Sequence, residues 1–118
     1  MNAKARRTVV LVVEDELLIR IAVAENLRDV GHVVLEAATA EDAIRHLNSE
    51  PVSLVFADVN LLGDMDGNAL AEWVEATHPK VPVLMTSAHD TTCSRPFIAK
   101  PYEPTTLVKA VDKLLNEQ

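Results

Sequence analysis

Cysteine occurs once in these 118 residues, at Cys93, so no internal disulfide can form, and no Cys/His spacing resembles a zinc site. A reducing compartment, the cytoplasm, is the expectation that follows. Aromatic residues make up only 3% of the chain, which leaves the core to aliphatic side chains. No apolar run approaches the roughly 20 residues that a membrane span needs, and none of signal-peptide type stands at the N-terminus. The chain is therefore expected to be neither exported nor embedded in a membrane. Basic residues are outnumbered, 11 Lys and Arg against 18 Asp and Glu, for a formal charge of −7. A nucleic-acid surface needs clustered cations to displace counterions from phosphate. Only Lys4, Arg6 and Arg7 cluster here, on a short N-terminal arm, so no nucleic-acid partner is expected.

What is present fits one domain over 1–118, with 1–7 as a flexible arm, long enough to bury a core without disulfides or structural metal. Thr8 to Val13 is apolar without alternation, the mark of a strand covered on both faces. Residues 16–30 lack Gly and Pro and place Ile19, Val23, Leu27 and Val30 at helical spacing before Gly31 stops the helix. A short strand follows at His32 to Leu35. Thr39 with Asp42 suits a helix N-terminus, and Ala43, Ile44 and Leu47 form that helix's apolar stripe before Pro51. A third strand, from Val52, ends at Asp58. A loop with Gly63 and Gly67 then leads to a helix marked by Leu70, Ala71 and Val74. Val81 to Thr86 is a fourth strand and Phe97 to Ala99 a fifth. Pro104 opens a last helix whose face is Leu107, Ala110, Val111, Leu114 and Leu115. The fold class is α/β with a doubly wound parallel sheet. Between the fourth and fifth strands only Ala88 to Pro96 remain, without an apolar stripe. A helical crossover takes at least about 10–12 residues, so a loop or single turn is predicted there.

In an open parallel sheet, ligands bind outside the carboxyl ends of the strands. Glu14 and Asp15 close the first strand, Asp58 the third and Ser87 the fourth, and Lys100 follows the fifth. Three carboxylates at one edge repel unless a cation neutralises them. Mg²⁺ fits, with its preference for carboxylates, waters and a phosphate oxygen, and a carbonyl near Asn60 would add a further ligand. A carboxylate beside Mg²⁺ can act as a nucleophile toward a phosphoryl group, with Lys100 as counter-charge and Ser87 as hydroxyl donor. Taken singly, each of these residues also reads as an ordinary solvated strand-end or turn residue. Their shared edge is what assigns them a common role.

The motifs Val-Glu-Asp-Glu at 13–16, Ala-Asp-Val-Asn-Leu at 57–61 with Asp66-Gly67, Pro-Val-Leu-Met-Thr-Ser-Ala at 82–88 and Lys-Pro-Tyr at 100–102 cover essentially the whole chain. Together they resemble the receiver domains of two-component response regulators, similar to the chemotaxis and single-domain receivers. The resemblance implies a flavodoxin-like five-stranded sheet of order 2-1-3-4-5 and a cis Lys100–Pro101 bond. It implies Asp58 as phosphoacceptor, Mg²⁺ held by Glu14, Asp15, Asp58 and the Asn60 carbonyl, Ser87 as switch hydroxyl, and Lys100 on the phosphate. Phe97 stands where the family has a switch aromatic, and equally reads as a core residue. Asn60 and His89 stand where the family tunes access of hydrolytic water. Two departures are visible. Leu61-Leu62-Gly63-Asp64 carries one extra residue before Asp66-Gly67, and the length after Ser87 leaves the family's fourth helix, between strands four and five, reduced or absent.

The implied function is a module, not an enzyme beyond its own phosphorylation and dephosphorylation, that takes a phosphoryl group from a histidine kinase or phosphotransfer protein and switches protein contacts. The alternatives are a Mg²⁺-dependent phosphohydrolase with an aspartyl nucleophile, and a degenerate receiver serving as scaffold or phosphate sink. Against the phosphohydrolase, Asn60 stands where such enzymes place a general acid. On the first helix, Leu17, Leu18 and Ile21 lie off the buried stripe. They are expected to be partly exposed and to serve kinase docking or a homodimer.

Overall fold

The computed structural model of the chain describes residues 7–89 and 94–117. Most of the predicted arm (residues 1–6), Cys93 and the middle of the crossover (90–93) lie outside the described residues. Nine elements follow one another: β1 (Val9–Val13), α1 (Leu17–Asp29), β2 (Val33–Ala37), α2 (Ala40–Ser49), β3 (Leu54–Asp58), α3 (Gly67–Thr77), β4 (Val83–Ser87), β5 (Phe97–Ala99) and α4 (Pro104–Asn116). The strands are all parallel, in the order β2-β1-β3-β4-β5, as the resemblance implied.

The apolar runs of β1, β3 and β4 are buried because helices cover both faces. Leu11, Val13, Val55 and Met85 face α2 and α3, where Ala43, Leu47, Leu70 and Val74 meet them. Val10, Val12, Leu54 and Leu84 face α1 and α4, against Val23, Leu27, Leu107 and Val111. Thr39 caps α2 by accepting from the Asp42 amide at 3.1 Å, and Pro104 sits in the first turn of α4. Between β4 and β5 none of the described residues of the crossover is helical. The end of that crossover is tied to α3 by a two-pronged ion pair, Arg95 to Glu75, at 2.7 and 3.0 Å.

Several details differ from the sequence reading, beginning with β2, β3 and β4, which start at Val33, Leu54 and Val83 rather than at His32, Val52 and Val81. α1 ends at Asp29, and Val30 is its C-cap, 52% exposed, rather than part of the buried stripe. The chain turns at Gly31, whose φ of +102° only glycine adopts without strain. Ala24 takes the buried position instead. Gly67 is the first residue of α3, not part of the loop before it.

Candidate functional site

Strand register carries the site. Val13 pairs with Ala57, Asp58 with Thr86, and Ser87 with Ala99. One step beyond those pairs, Glu14, Asp58, Ser87 and Lys100 stand along the carboxyl edge of neighbouring strands, about 4.8 Å apart per strand. Glu14 and Asp58 flank the β1/β3 boundary, where the winding of the sheet reverses.

The side chains converge. Lys100 reaches back so that Nζ lies 2.8 Å from Glu14 Oε1 and 2.6 Å from Asp58 Oδ2. Both acids are nearly enclosed, Glu14 at 4% and Asp58 at 6% exposure. Each carboxylate is also held by a backbone amide two residues on: Glu14 Oε2 accepts from Glu16 at 3.1 Å, and Asp58 Oδ1 from Asn60 at 2.8 Å. The Lys100–Pro101 bond is cis. Asn60 Nδ2 donates to Ser87 Oγ at 3.0 Å, and the His89 amide donates to the same oxygen at 3.1 Å. With two bonds accepted, the Ser87 hydroxyl keeps its proton for donation.

Charge in this pocket is shared. Burial pushes the Glu14 carboxyl above its ordinary value, against the opposing pull of the Lys100 hydrogen bond and the Glu16 amide. Burial alone would lower the Lys100 ammonium, but the hydrogen bonds to Asp58 and Glu14 outweigh it and hold Lys100 charged beyond its ordinary range. Two carboxylates already meet at one cationic point. That donor set of hard oxygens suits a divalent cation that takes one or two carboxylates. Among the described residues no three His, Cys, Asp or Glu side chains are gathered to hold a metal ion. Asp15 is half-buried beside the pair.

The remaining predicted residues spread around the site. Phe97 packs on the α2/α3 side of the core, half-buried. His89 and Asn60 are exposed at the rim. Leu17, Leu18 and Ile21 are exposed by 56%, 79% and 38%, and Leu62 in the loop after β3 by 72%. In the same loop Gly63 takes a φ of +105°, which glycine adopts without strain.

Four residues carry features to which the sequence reading gave no role. Arg20 Nη1 donates to the Glu14 carbonyl at 2.9 Å; an arginine within the otherwise apolar first half of α1, Leu17 to Ala24, was the available signal. A Cβ on Gly67 would lie 2.1 Å from the Asp58 carbonyl oxygen, so glycine lets α3 start directly on the backbone of the acidic strand. Among the described residues the buried hydroxyls of Thr86 and Tyr102 meet no hydrogen-bond partner. Burial raises the Tyr102 phenol to about 12.

Fold and site together define a doubly wound α/β protein of flavodoxin type with an acid–lysine cluster at its switch point. Residues 10–112 match the family model described as response regulator receiver domain, and the chain belongs to that family. It is 32% identical over 117 residues to the nitrogen assimilation regulatory protein NtrX of Azorhizobium caulinodans, covering 91% of this chain and 26% of that protein. It is 39% identical over 83 residues to a putative NtrX-like response regulator of Rickettsia felis, covering 70% of this chain and 18% of the relative. The chain thus spans between about a fifth and a quarter of these relatives' lengths. The solved receiver domain of NtrX from Brucella abortus superposes with a TM-score of 0.86 at 33% identity, covering 92% of this chain and 99% of that one. A CheY-like receiver domain from Methanospirillum hungatei, at 24% identity, shares the fold with a TM-score of 0.88 over 95% of this chain and 96% of that one. No helix among the described residues is long and apolar enough to cross a membrane.

Proposed function

We propose that this receiver domain takes a phosphoryl group onto Asp58 from a phosphohistidine of a histidine kinase or phosphotransfer protein in the cytoplasm, and so switches its protein contacts. The observation that carries the reading is the Lys100 ammonium between the buried Glu14 and Asp58 carboxylates. An Asp58 oxygen attacks phosphorus, the P–N bond breaks, and its electron pair returns to the imidazole of the donor, leaving an aspartyl phosphate. Lys100 exchanges its Asp58 contact for a phosphoryl oxygen and neutralises part of the transferred charge. Ser87, which accepts from Asn60 and the His89 amide and keeps its proton free, supplies a hydrogen bond to a second oxygen. Glu14, Asp15, Asp58 and the Asn60 carbonyl are the residues that would hold Mg²⁺. When bound, the ion supplies charge neutralisation across carboxylates and phosphate. Phe97, next to the crossover, would change its packing as Ser87 moves.

Incubation with a small phosphodonor and Mg²⁺ should add one phosphoryl group per chain by intact mass, and Asp58→Asn should abolish it. Persistent labelling of that variant sinks the assignment. The donor would dock over α1, where Leu18, Ile19, Ala22, Lys100, Pro101 and Tyr102 line a groove of about 690 Å³ beside the acidic site. Leu17 and Ile21 changed together to Ser should slow transfer from the cognate kinase, or dissociate a homodimer formed on this face. Small-donor labelling and melting temperature should stay nearly unchanged. Early melting of the double variant would place these side chains in the core.

A further inference from the structure

Arg20 is nearly enclosed, its side chain 15% exposed. Nη1 donates to the Glu14 carbonyl at 2.9 Å, and Nε pairs with Glu36 Oε1 on β2 at 3.3 Å. Glu36 is held in turn by Arg28 Nη1 at 3.3 Å, while Arg28 Nη2 donates to the Val34 carbonyl at 2.9 Å. A guanidinium presents its donors in a rigid fork, so anchoring one edge on a carboxylate aims the other.

The Glu14 carbonyl belongs to the peptide plane joining Glu14 to Asp15. Because that plane is rigid, ψ of Glu14 and φ of Asp15 turn with it. Its orientation therefore sets the direction in which Asp15 leaves the backbone relative to the Glu14 carboxylate. The neighbouring groups are already restrained: the Glu14 amide donates to the Ala37 carbonyl at 3.0 Å, and the Arg20 amide to the Glu16 carbonyl at 2.9 Å. Arg20 thus closes the turn from the helix side. We propose that Arg20 is a positioning residue for the acidic site, holding the Glu14–Asp15 peptide so that both carboxylates face a divalent cation beside Asp58. This inference rests on the reading of the site given above. A residue that merely tied α1 to the sheet would change stability alone; a positioning residue changes cation affinity at a given stability.

The test compares Arg20→Met, Arg20→Lys and Arg28→Met in the full chain. Mg²⁺ binding is measured by calorimetry, and labelling from a small phosphodonor is followed across Mg²⁺ concentrations. Arg20→Met should raise the Mg²⁺ dissociation constant by on the order of tenfold. Labelling should shift to higher Mg²⁺ concentrations in step with that constant. Arg20→Lys, which keeps the charge and a donor, should recover part of the affinity. Arg28→Met, which loses Glu36 and Val34 but no contact with Glu14, should lower the melting temperature and leave Mg²⁺ affinity alone. Should Arg20→Met fail to fold, Glu36→Gln, which loosens the anchor, should weaken Mg²⁺ by about threefold. Unchanged Mg²⁺ affinity in Arg20→Met, or in Glu36→Gln where it replaces it, overturns the inference. So does an equal loss in Arg28→Met. A wild-type chain that binds no Mg²⁺ overturns the site reading and this inference together, whereas wild-type binding with unaffected variants overturns this inference only.

Discussion

At the amino end of the sheet, His32 lies between Thr8 and Asp112, with Nδ1 2.6 Å from the threonine hydroxyl and Nε2 3.3 Å from the carboxylate. Ser53 accepts from the Val9 amide at 3.0 Å beside it. At the carboxyl end, two buried carboxylates share one ammonium, and a buried serine accepts twice while keeping its proton. Both ends bury polar side chains, but they differ in balance. The amino-end contacts pair a ring with a hydroxyl and a single carboxylate, and join the starts of β1 and β2 to α4. The carboxyl-end contacts leave negative charge in excess and a donor in reserve. Polar groups that answer one another hold the fold, whereas a surplus of one sign in a nearly closed pocket is poised for a ligand of the other sign.

The largest effect that would sharpen this contrast comes from Lys100→Met. Removing the shared ammonium should slow labelling from a small phosphodonor by on the order of 10²-fold, followed by intact mass over time. An unchanged rate would make Lys100 a structural counter-ion and erase the difference between the two ends. A smaller effect is expected from His32→Ala, which removes both contacts and leaves Asp112, 51% exposed, to water. Unfolding free energy in urea should fall by about 0.5–1.5 kcal/mol with the labelling rate unaltered. A parallel loss of labelling would couple the two ends and break the comparison.

The smallest effect is spectroscopic. Tyr102 is the sole tyrosine, so an ultraviolet titration reports it alone. Its phenol is raised from 10.0 to about 12 in the folded chain. The unfolded chain ionises first, so the contribution to stability is full below pH 10 and is lost as pH rises through 12. Half-ionisation near pH 12 in buffer and near pH 10 in urea is expected. Coincident titrations would place the ring in solvent.

Helix boundaries were legible where local chemistry sets them. Thr39 and Pro104 marked helix starts through a side-chain acceptor and a missing amide, and Gly31 marked the exit from α1 through its positive φ. The exposure of Leu17, Leu18 and Ile21 was likewise legible, since helical periodicity separates the faces of α1. Val30 was misplaced because periodicity continues on paper past the residue where the backbone leaves the helix. Gly67 read as a loop residue because its constraint comes from Asp58 and Val59, not from its neighbours in α3.

The sequence by itself determined the alternation of strands and helices, the burial of both sheet faces, and the acidic, hydroxyl and lysine residues that end the strands. Those properties follow from residue type and short-range periodicity. Only the tertiary structure decided that Lys100 bridges Glu14 and Asp58, that Arg20 reaches the Glu14 carbonyl, and that α3 starts against the backbone of Asp58. The reason is physical. The Lys100 contacts depend on register between strands far apart in sequence, where a one-residue slip turns every side chain to the other face, and the Arg20 and Gly67 contacts depend on how a helix docks on the strand before it.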